Sequence, residues 1–163
     1  MGDSTADAIR EAILTEKNSF EFYRLASEAV VNEETKQLFE FLAGEELEHL
    51  NAFLRLYEGD EFGELHSLVK QPYDPNHPVN RALLETVDQD LTEEHALNIS
   101  LREEQSCIDR YTVLIAAIKE PTPREVFAKA LRETRKHYEV IKEEYMRVMT
   151  MVDRSDQDIY VRE

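Results

Sequence analysis

The chain has 163 residues, of which 42% are hydrophobic and 33% charged, with four glycines and five prolines. This composition suits a single globular domain over residues 1–163 with its own buried core. It excludes a disordered chain, and the few glycines and prolines exclude a turn-rich β-sandwich or barrel. A formal net charge of −16 excludes a nucleic-acid binder, which needs a basic surface, and disfavours binding to anionic membranes.

The single cysteine, Cys107, excludes both an intrachain disulfide and a metal site built from four cysteines. Asp3 and Asp7 lie where a secretory signal peptide has basic and then apolar residues. No segment contains the roughly 18 consecutive apolar residues that a membrane-spanning helix needs. We therefore expect a cytoplasmic protein.

Apolar residues recur with helical spacing in four long segments. The predicted helices cover about residues 6–31, 34–57, 92–119 and 122–152. Ser4 and Thr92 are the predicted N-caps of the first and third helices, and Thr122 begins a capping box for the fourth. From about residue 153 the chain is polar, and we expect a frayed tail.

The lengths of the links predict how these helices are arranged. The first and second helices are joined by two or three residues, as are the third and fourth, so each pair is antiparallel. Residues 58–91 include three prolines and two short helical segments, and they can return along the ~36 Å length of a 24-residue helix. The sequence therefore predicts an all-α, four-helix bundle of two antiparallel hairpins joined by one long crossover.

The two halves of the chain repeat at a constant offset of 88 residues. The equivalent pairs include Glu16 and Glu104, Tyr23 and Tyr111, Glu45 and Glu133, and His49 and His137. A repeat that preserves only helix packing shares apolar positions alone, whereas here glutamate and histidine also recur on the stripes that face the core.

Charged residues interrupt the apolar stripes of all four helices. Glu46 and His49, three residues apart, share one face of the second helix. Glu16 and Glu104 lie on the first and third helices, and His137 lies on the fourth. A carboxylate facing a core is costly unless it is paired or binds a metal. Two glutamates plus Glu-x-x-His units form the ligand set of di-iron carboxylate bundles, and these groups also suit manganese or zinc.

On these residues the chain resembles the rubrerythrin group of the ferritin-like superfamily over about residues 6–150. The resemblance is carried by the segments EKNSFEFY from Glu16, EELEH from Glu45, EEQSCIDRY from Glu103 and ETRKH from Glu133. It implies that two iron atoms are held by Glu16, Glu46, His49, Glu104 and His137. It also implies that Tyr23 and Tyr111 hydrogen-bond the ligating carboxylates.

Two positions depart from the family pattern. Thr134 stands where the family has a glutamate three residues before His137, so we expect the metal position of Glu104 and His137 to bind more weakly. Glu133 could replace that ligand, although it lies about 100° round the helix from Thr134. Cys107 stands where some rubrerythrins carry an additional glutamate, and we expect it to be a small buried apolar residue.

The resemblance implies a redox enzyme in which reduced iron reacts with dioxygen or hydrogen peroxide and Glu46 bridges the two ions. An external donor returns the electrons, and many rubrerythrins relay them through a rubredoxin-like domain with four cysteines. That relay is absent from these 163 residues, which contain one cysteine. Two other functions therefore stay open: metal binding or iron sequestration without turnover, and a degenerate bundle that serves as an interaction module.

Other residues give expectations about the surface. Phe22, Phe41 and Leu54 lie beside the main apolar stripes, so we expect a homodimer that covers them. His77, in the crossover, is outside the repeat register, and we expect it to be a solvated loop histidine.

Overall fold

Two long helical hairpins build the molecule. The computed structural model describes residues 2–87 and 93–161 of the chain, and all of its regular structure within them is helical. The helices are α1 (Asp3–Ala29), α2 (Glu33–Leu56), α3 (Leu65–Lys70), α4 (Pro78–Val87), α5 (Glu93–Ala117) and α6 (Pro121–Val161).

The four long helices form the predicted bundle. Helix α1 pairs with α2 and α5 pairs with α6, and the two hairpins meet along α1–α5 and α2–α6. The crossover contains the two short helices, and α4 packs against both α1 and α5. The prediction of a ferritin-like bundle with one long crossover is confirmed.

The helix starts differ in detail from the predicted caps. Gly2, not Ser4, is the N-cap of α1, and α6 begins at Pro121, ahead of the capping box at Thr122. Proline is favoured in the first turn because its missing N–H would have no helical partner there. The predicted cap Thr92 lies outside the described residues.

The fourth long helix continues beyond its predicted end. Residues 153–161 are helical in α6, where their polar composition predicted a frayed tail. The segment contains neither glycine nor proline, so nothing in it interrupts the helical backbone. The prediction of a frayed tail was therefore wrong for the backbone of residues 153–161.

The core consists of two apolar clusters with a polar layer between them. One cluster includes Phe53, Tyr111 and Phe127, with ring centroids of the two phenylalanines 4.7 Å apart. The other includes Tyr23 and Phe39, whose ring centroids are 5.9 Å apart. Such aromatic contacts stabilise a core beyond the area that they bury. The two clusters hold the ends of the bundle and position the charged residues between them.

The three residues from which a homodimer was predicted lie in different environments. Phe22 is fully buried, because α4 supplies Val79 and Leu83 to the same apolar cluster. Leu54 is partly buried against the other cluster, and of these three residues only Phe41 is exposed, at 53%. The placement of Phe22 beside the stripe was therefore wrong.

No helix among the described residues combines the length and the apolar composition that crossing a membrane requires.

Candidate metal centre

The five charged residues predicted to face the core lie together in the polar layer. They are Glu16 from α1, Glu46 and His49 from α2, Glu104 from α5 and His137 from α6, and none is more than 5% exposed. Burial removes the water that would stabilise three carboxylates, so the site needs a compensating positive charge.

Glu46 lies between the two histidines. Its Oε1 atom is 3.3 Å from Nδ1 of His137, and its Oε2 atom is 3.5 Å from Nδ1 of His49. The two imidazole rings are stacked, with centroids 5.7 Å apart. One carboxylate therefore presents one oxygen to each half of the bundle.

These residues form two groups of three potential ligands. Within each group, the candidate ligand atoms all lie within 4.8 Å of one another. The first group is Glu16, Glu46 and His49, and the second is Glu46, Glu104 and His137. Because Glu46 belongs to both, each group has two carboxylates and one imidazole.

Three buried polar atoms in these groups test whether a metal fits. Glu16 Oε2 and the Nδ1 atoms of His49 and His137 make no hydrogen bond to any described residue. Buried polar atoms are nearly always satisfied, and orphaned ones need an explanation. Carboxylate oxygens and imidazole nitrogens together suit iron, manganese or zinc. The donor set therefore fits a two-metal centre.

The buried glutamates and histidine hold protons that a bound metal ion would displace. Burial, reinforced by the charge of Glu46, raises the pKa of Glu16 and of Glu104 well above the ordinary range. Burial opposes the charged form of His49, but the carboxylates of Glu16 and Glu46 outweigh it and raise its pKa to about 12. Without a metal the cluster therefore holds protons, which a bound cation would displace.

Two tyrosines connect the hairpins at this layer. Tyr23 on α1 donates a hydrogen bond to Glu104 on α5, and Tyr111 on α5 donates one to Glu16 on α1, with an Oη–Oε1 distance of 2.5 Å. Burial raises the pKa of both phenols, so they remain donors. Each tyrosine thus fixes one oxygen of a carboxylate that belongs to the opposite hairpin.

Thr134 and Glu133 do not enter the two inner groups. The hydroxyl of Thr134 donates to the backbone oxygen of Ala130 at 2.8 Å, within its own helix. Nε2 of His49 donates to Oε2 of Glu133 at 2.5 Å, on the side of the ring away from the inner carboxylates. Glu133 and Glu45 also form a third group with this histidine, nearer the surface.

Sequence reasoning missed the contact between Glu133 and His49, which joins α6 to α2. The available signal was the repeat, because Glu133 is equivalent to Glu45 and both precede a histidine by four residues. Cys107 is half-buried against the core cluster that contains Tyr111, and burial raises the pKa of its thiol well above the ordinary range. It is therefore a neutral thiol.

Comparison with known proteins adds one match. Residues 7–145 match the family model described as rubrerythrin, and this range contains all five inner candidate ligands. No curated protein and no solved structure matches the chain. Because the family match covers most of the 163 residues and the fold is the bundle expected of that family, the chain belongs to the rubrerythrin family.

Proposed function

We propose that this protein is a di-iron oxidoreductase that reduces hydrogen peroxide. The observation that carries the proposal is Glu46, which presents one oxygen toward each of two histidines within two three-ligand groups. Family membership supports iron as the metal. When bound, two ferrous ions would supply two electrons to hydrogen peroxide, whose O–O bond breaks and which takes up two protons to form two water molecules.

In this proposal the chain's own residues have distinct roles. Glu46 would be a ligand at both metal positions, Glu16 and His49 would complete one position, and Glu104 and His137 would complete the other. Tyr23 and Tyr111 orient the two terminal carboxylates by hydrogen bonding. A bound histidine usually donates its second ring nitrogen to a carboxylate, which fixes the tautomer and the ring orientation. Glu133 does this for His49.

The reaction also needs an external electron donor. The formal net charge of −16 favours a donor with a basic or cationic surface, because opposite charges accelerate encounter at low ionic strength. The expected signature is a reduction rate that falls as salt is added.

The test is metal analysis followed by a single-turnover reaction. Protein purified without chelator should contain two irons per chain, and hydrogen peroxide should oxidise the anaerobically reduced form at two electrons per peroxide. Glu46→Gln is the matched control, because it keeps the side-chain volume and removes the bridging charge. Two ferrous ions that peroxide leaves unoxidised would contradict the proposal.

The alternative is metal binding without turnover, and Thr134 is the observation that favours it. Three buried carboxylates would face two dications here, so the ligand charge would be lower than in the complete family pattern. A chain that takes up iron but shows no peroxide-dependent oxidation of that iron would support this alternative.

We also propose a homodimer, with Phe41 in the interface. Phe41 is a large apolar residue that is 53% exposed on α2. Light scattering should give twice the 19.1 kDa chain mass, and Phe41→Glu should give the monomer. A wild-type monomer at high micromolar concentration would refute the dimer.

A further inference from the structure

A third group of potential metal ligands lies outside the inner layer, in the seam between α2 and α6. It consists of Glu45 and His49 from α2 and Glu133 from α6, whose candidate ligand atoms all lie within 4.8 Å of one another. Glu45 and Glu133 are half-buried, whereas His49 is only 5% exposed. This outer group therefore has the same donor types as each inner group, but its two carboxylates are accessible from solvent.

The imidazole of His49 forms the boundary between the outer group and an inner one. Its Nε2 atom is 2.5 Å from Oε2 of Glu133, and its Nδ1 atom is 3.5 Å from Oε2 of both Glu16 and Glu46. Nδ1 is buried and has no hydrogen-bond partner among the described residues. A neutral imidazole has one nitrogen lone pair in the ring plane, so this ring can bind a metal ion on only one side at a time. Metal binding by the two groups that share His49 is therefore mutually exclusive.

The α1–α5 side of the inner layer has no comparable group. The hydrogen bonds of Tyr23 and Tyr111 cross the layer on that side. A cavity of about 680 Å³ lies in the α1–α5 seam, but none of the three-ligand groups found among the described residues includes a residue that lines it. The ligand groups therefore connect the surface with the inner layer on the α2–α6 side.

His77 is one of the residues that line this cavity. It is only partly exposed, and its Nδ1 atom is buried without a hydrogen-bond partner in the described part of the chain. The expectation that His77 is a solvated loop histidine was therefore wrong, because α4, which follows it directly, packs against α1 and α5.

Lys129 is the cation that now faces the outer group. Its Nζ atom is 3.6 Å from Oε1 of Glu133, one helical turn further along α6, and its side chain is 69% exposed. Exposed ion pairs of this kind contribute little to stability, so the ammonium group can leave at small cost. A dication carries twice its charge and interacts more strongly with the same carboxylates. The formal net charge of −16 also raises the local concentration of cations.

We propose that Glu45, His49 and Glu133 form a loading site for divalent metal ions, from which His49 transfers each ion to the inner layer. This proposal rests on the two-metal centre of the proposed function and adds a route by which that centre fills. Glu45, Glu133 and Nε2 of His49 bind the ion first. Nε2 then releases the ion and takes up a proton, while Nδ1 loses its proton and becomes the ligand. Because water competes at the half-exposed carboxylates, the loading site binds more weakly than the inner groups, as inward transfer requires.

The test follows cobalt(II) uptake by the metal-free, full-length protein with visible absorption after rapid mixing. Binding at a loading site before transfer makes the rate of inner filling level off as the cobalt concentration rises. Loss of a charged ligand should raise the half-saturation concentration of Glu45→Gln about tenfold or more, at an unchanged plateau rate. Glu48→Gln is the matched control and should behave as wild type, because Glu48 is an exposed glutamate of the same helix that belongs to no ligand group.

A second pair of variants tests the competing cation. Lys129→Met should lower the half-saturation concentration about threefold, the size expected for an exposed ion pair. Lys142→Met, which removes an exposed lysine elsewhere on α6, should leave it unchanged. All four variants should bind the same final number of cobalt ions as wild type.

Two results would overturn the loading site. One is a wild-type rate that stays linear in cobalt concentration, and the other is an equal half-saturation concentration in Glu45→Gln and Glu48→Gln. A conformational opening that precedes binding would also give a plateau, but it would not depend on Glu45. If uptake shows the expected dependence while hydrogen peroxide leaves the ferrous protein unoxidised, the proposed function fails and the loading site stands.

Discussion

The two hairpins occupy equivalent places in the bundle but contribute unequal numbers of candidate metal ligands. The α1–α2 hairpin supplies Glu16, Glu46 and His49, whereas the α5–α6 hairpin supplies Glu104 and His137. The structure compensates because Glu46 faces both histidines, so each group has two carboxylates and one imidazole. Thr134 therefore removes one candidate carboxylate from the second hairpin, but both three-residue groups keep the same set of donor types.

A second comparison concerns the contacts between each hairpin loop and the start of the opposite hairpin. Glu120, in the α5–α6 loop, accepts hydrogen bonds from the Gly2 amide and the Thr5 hydroxyl. At the other end, Glu93 at the start of α5 accepts from the amides of Val31 and Asn32. Glu120 is equivalent to Asn32 in the repeat, and Glu93 is equivalent to Thr5. The two contacts therefore lie at equivalent places in the repeat. The accepting glutamate comes from the hairpin loop in one contact and from the start of the helix in the other.

The largest expected effect comes from removing the shared ligand. Glu46→Gln should abolish binding at both positions, whereas Glu104→Gln should leave one ion bound, because only Glu46 belongs to both groups. At a zinc concentration a hundredfold above its Kd, wild type should gain about 2.7 kcal/mol in the free energy of unfolding for each bound ion, and Glu46→Gln should gain none. Calorimetric titration and thermal melts measure both quantities, and an equal loss of ions in the two variants would contradict the sharing.

Replacing Thr134 with glutamate would give the two hairpins equivalent carboxylates, because position 134 corresponds to Glu46 in the repeat. Thr134→Glu adds a fourth carboxylate to the buried layer, so the metal-free protein should lose ~3 kcal/mol of stability as an uncompensated buried charge. Zinc should bind more tightly than in wild type, because the added charge faces two dications. Thr134→Val keeps the shape and adds no charge, and it serves as the control. If both variants bind zinc with the same affinity, Thr134 does not mark the missing ligand.

The orientation of His49 should contribute a smaller amount. Glu133→Gln replaces the charged acceptor of the Nε2 hydrogen bond with a neutral amide. Loss of such a partner typically weakens metal binding 10- to 100-fold. Glu45→Gln is the matched control at the equivalent position of the first hairpin, and we expect a weaker effect there. Zinc affinity measured by competition with a chromophoric chelator distinguishes them, and two equal affinities would argue against an orienting role for Glu133.

The two tyrosines should behave alike because their contacts are reciprocal. In the metal-free protein the raised pKa values of Glu16 and Glu104 keep these acceptors protonated, so each bond joins neutral groups. Tyr23→Phe and Tyr111→Phe should therefore each cost about 1 kcal/mol in the free energy of unfolding. Urea denaturation of the metal-free variants tests this expectation, and a several-fold difference between the two costs would show that the hairpins are not equivalent here.

The smallest effect concerns the loop contact and its dependence on pH. Hydrogen bonds from Gly2 and Thr5 lower the pKa of Glu120 from 4.5 to about 2. Because the folded-state pKa is the lower one, this contact stabilises the protein above pH 4.5 and its contribution is lost as the pH falls toward 2. Wild type should therefore be more stable than Glu120→Gln at pH 7, and thermal melts at lower pH should show the difference shrinking. A difference independent of pH would assign the effect to packing.

Much of the architecture follows from the sequence alone. Helical spacing, short links within each hairpin and one long link between them leave few ways to bury four apolar stripes other than this bundle. The convergence of Glu16, Glu46 and His49 with the second hairpin's glutamate and histidine also follows, because charged residues on core-facing stripes at one register must meet in one layer. Both arguments need only the order of the residues, since this order gives the helical periodicity and shows which charged residues would be buried.

Other features were decided only by tertiary packing. Phe22 is buried and His77 lines a cavity because α4 packs against α1 and α5, and no periodicity in the chain states where a crossover helix lies. Glu133 contacts His49 and not an inner position, because the rotation of α6 relative to α2 sets which side of the imidazole its carboxylate reaches. Glu46 serves two groups for the same reason: His49 lies one turn further along its own helix, but the distance to His137 depends on how α6 packs against α2. Sequence spacing determines which residues share a helix face, but distances between helices determine which of them touch.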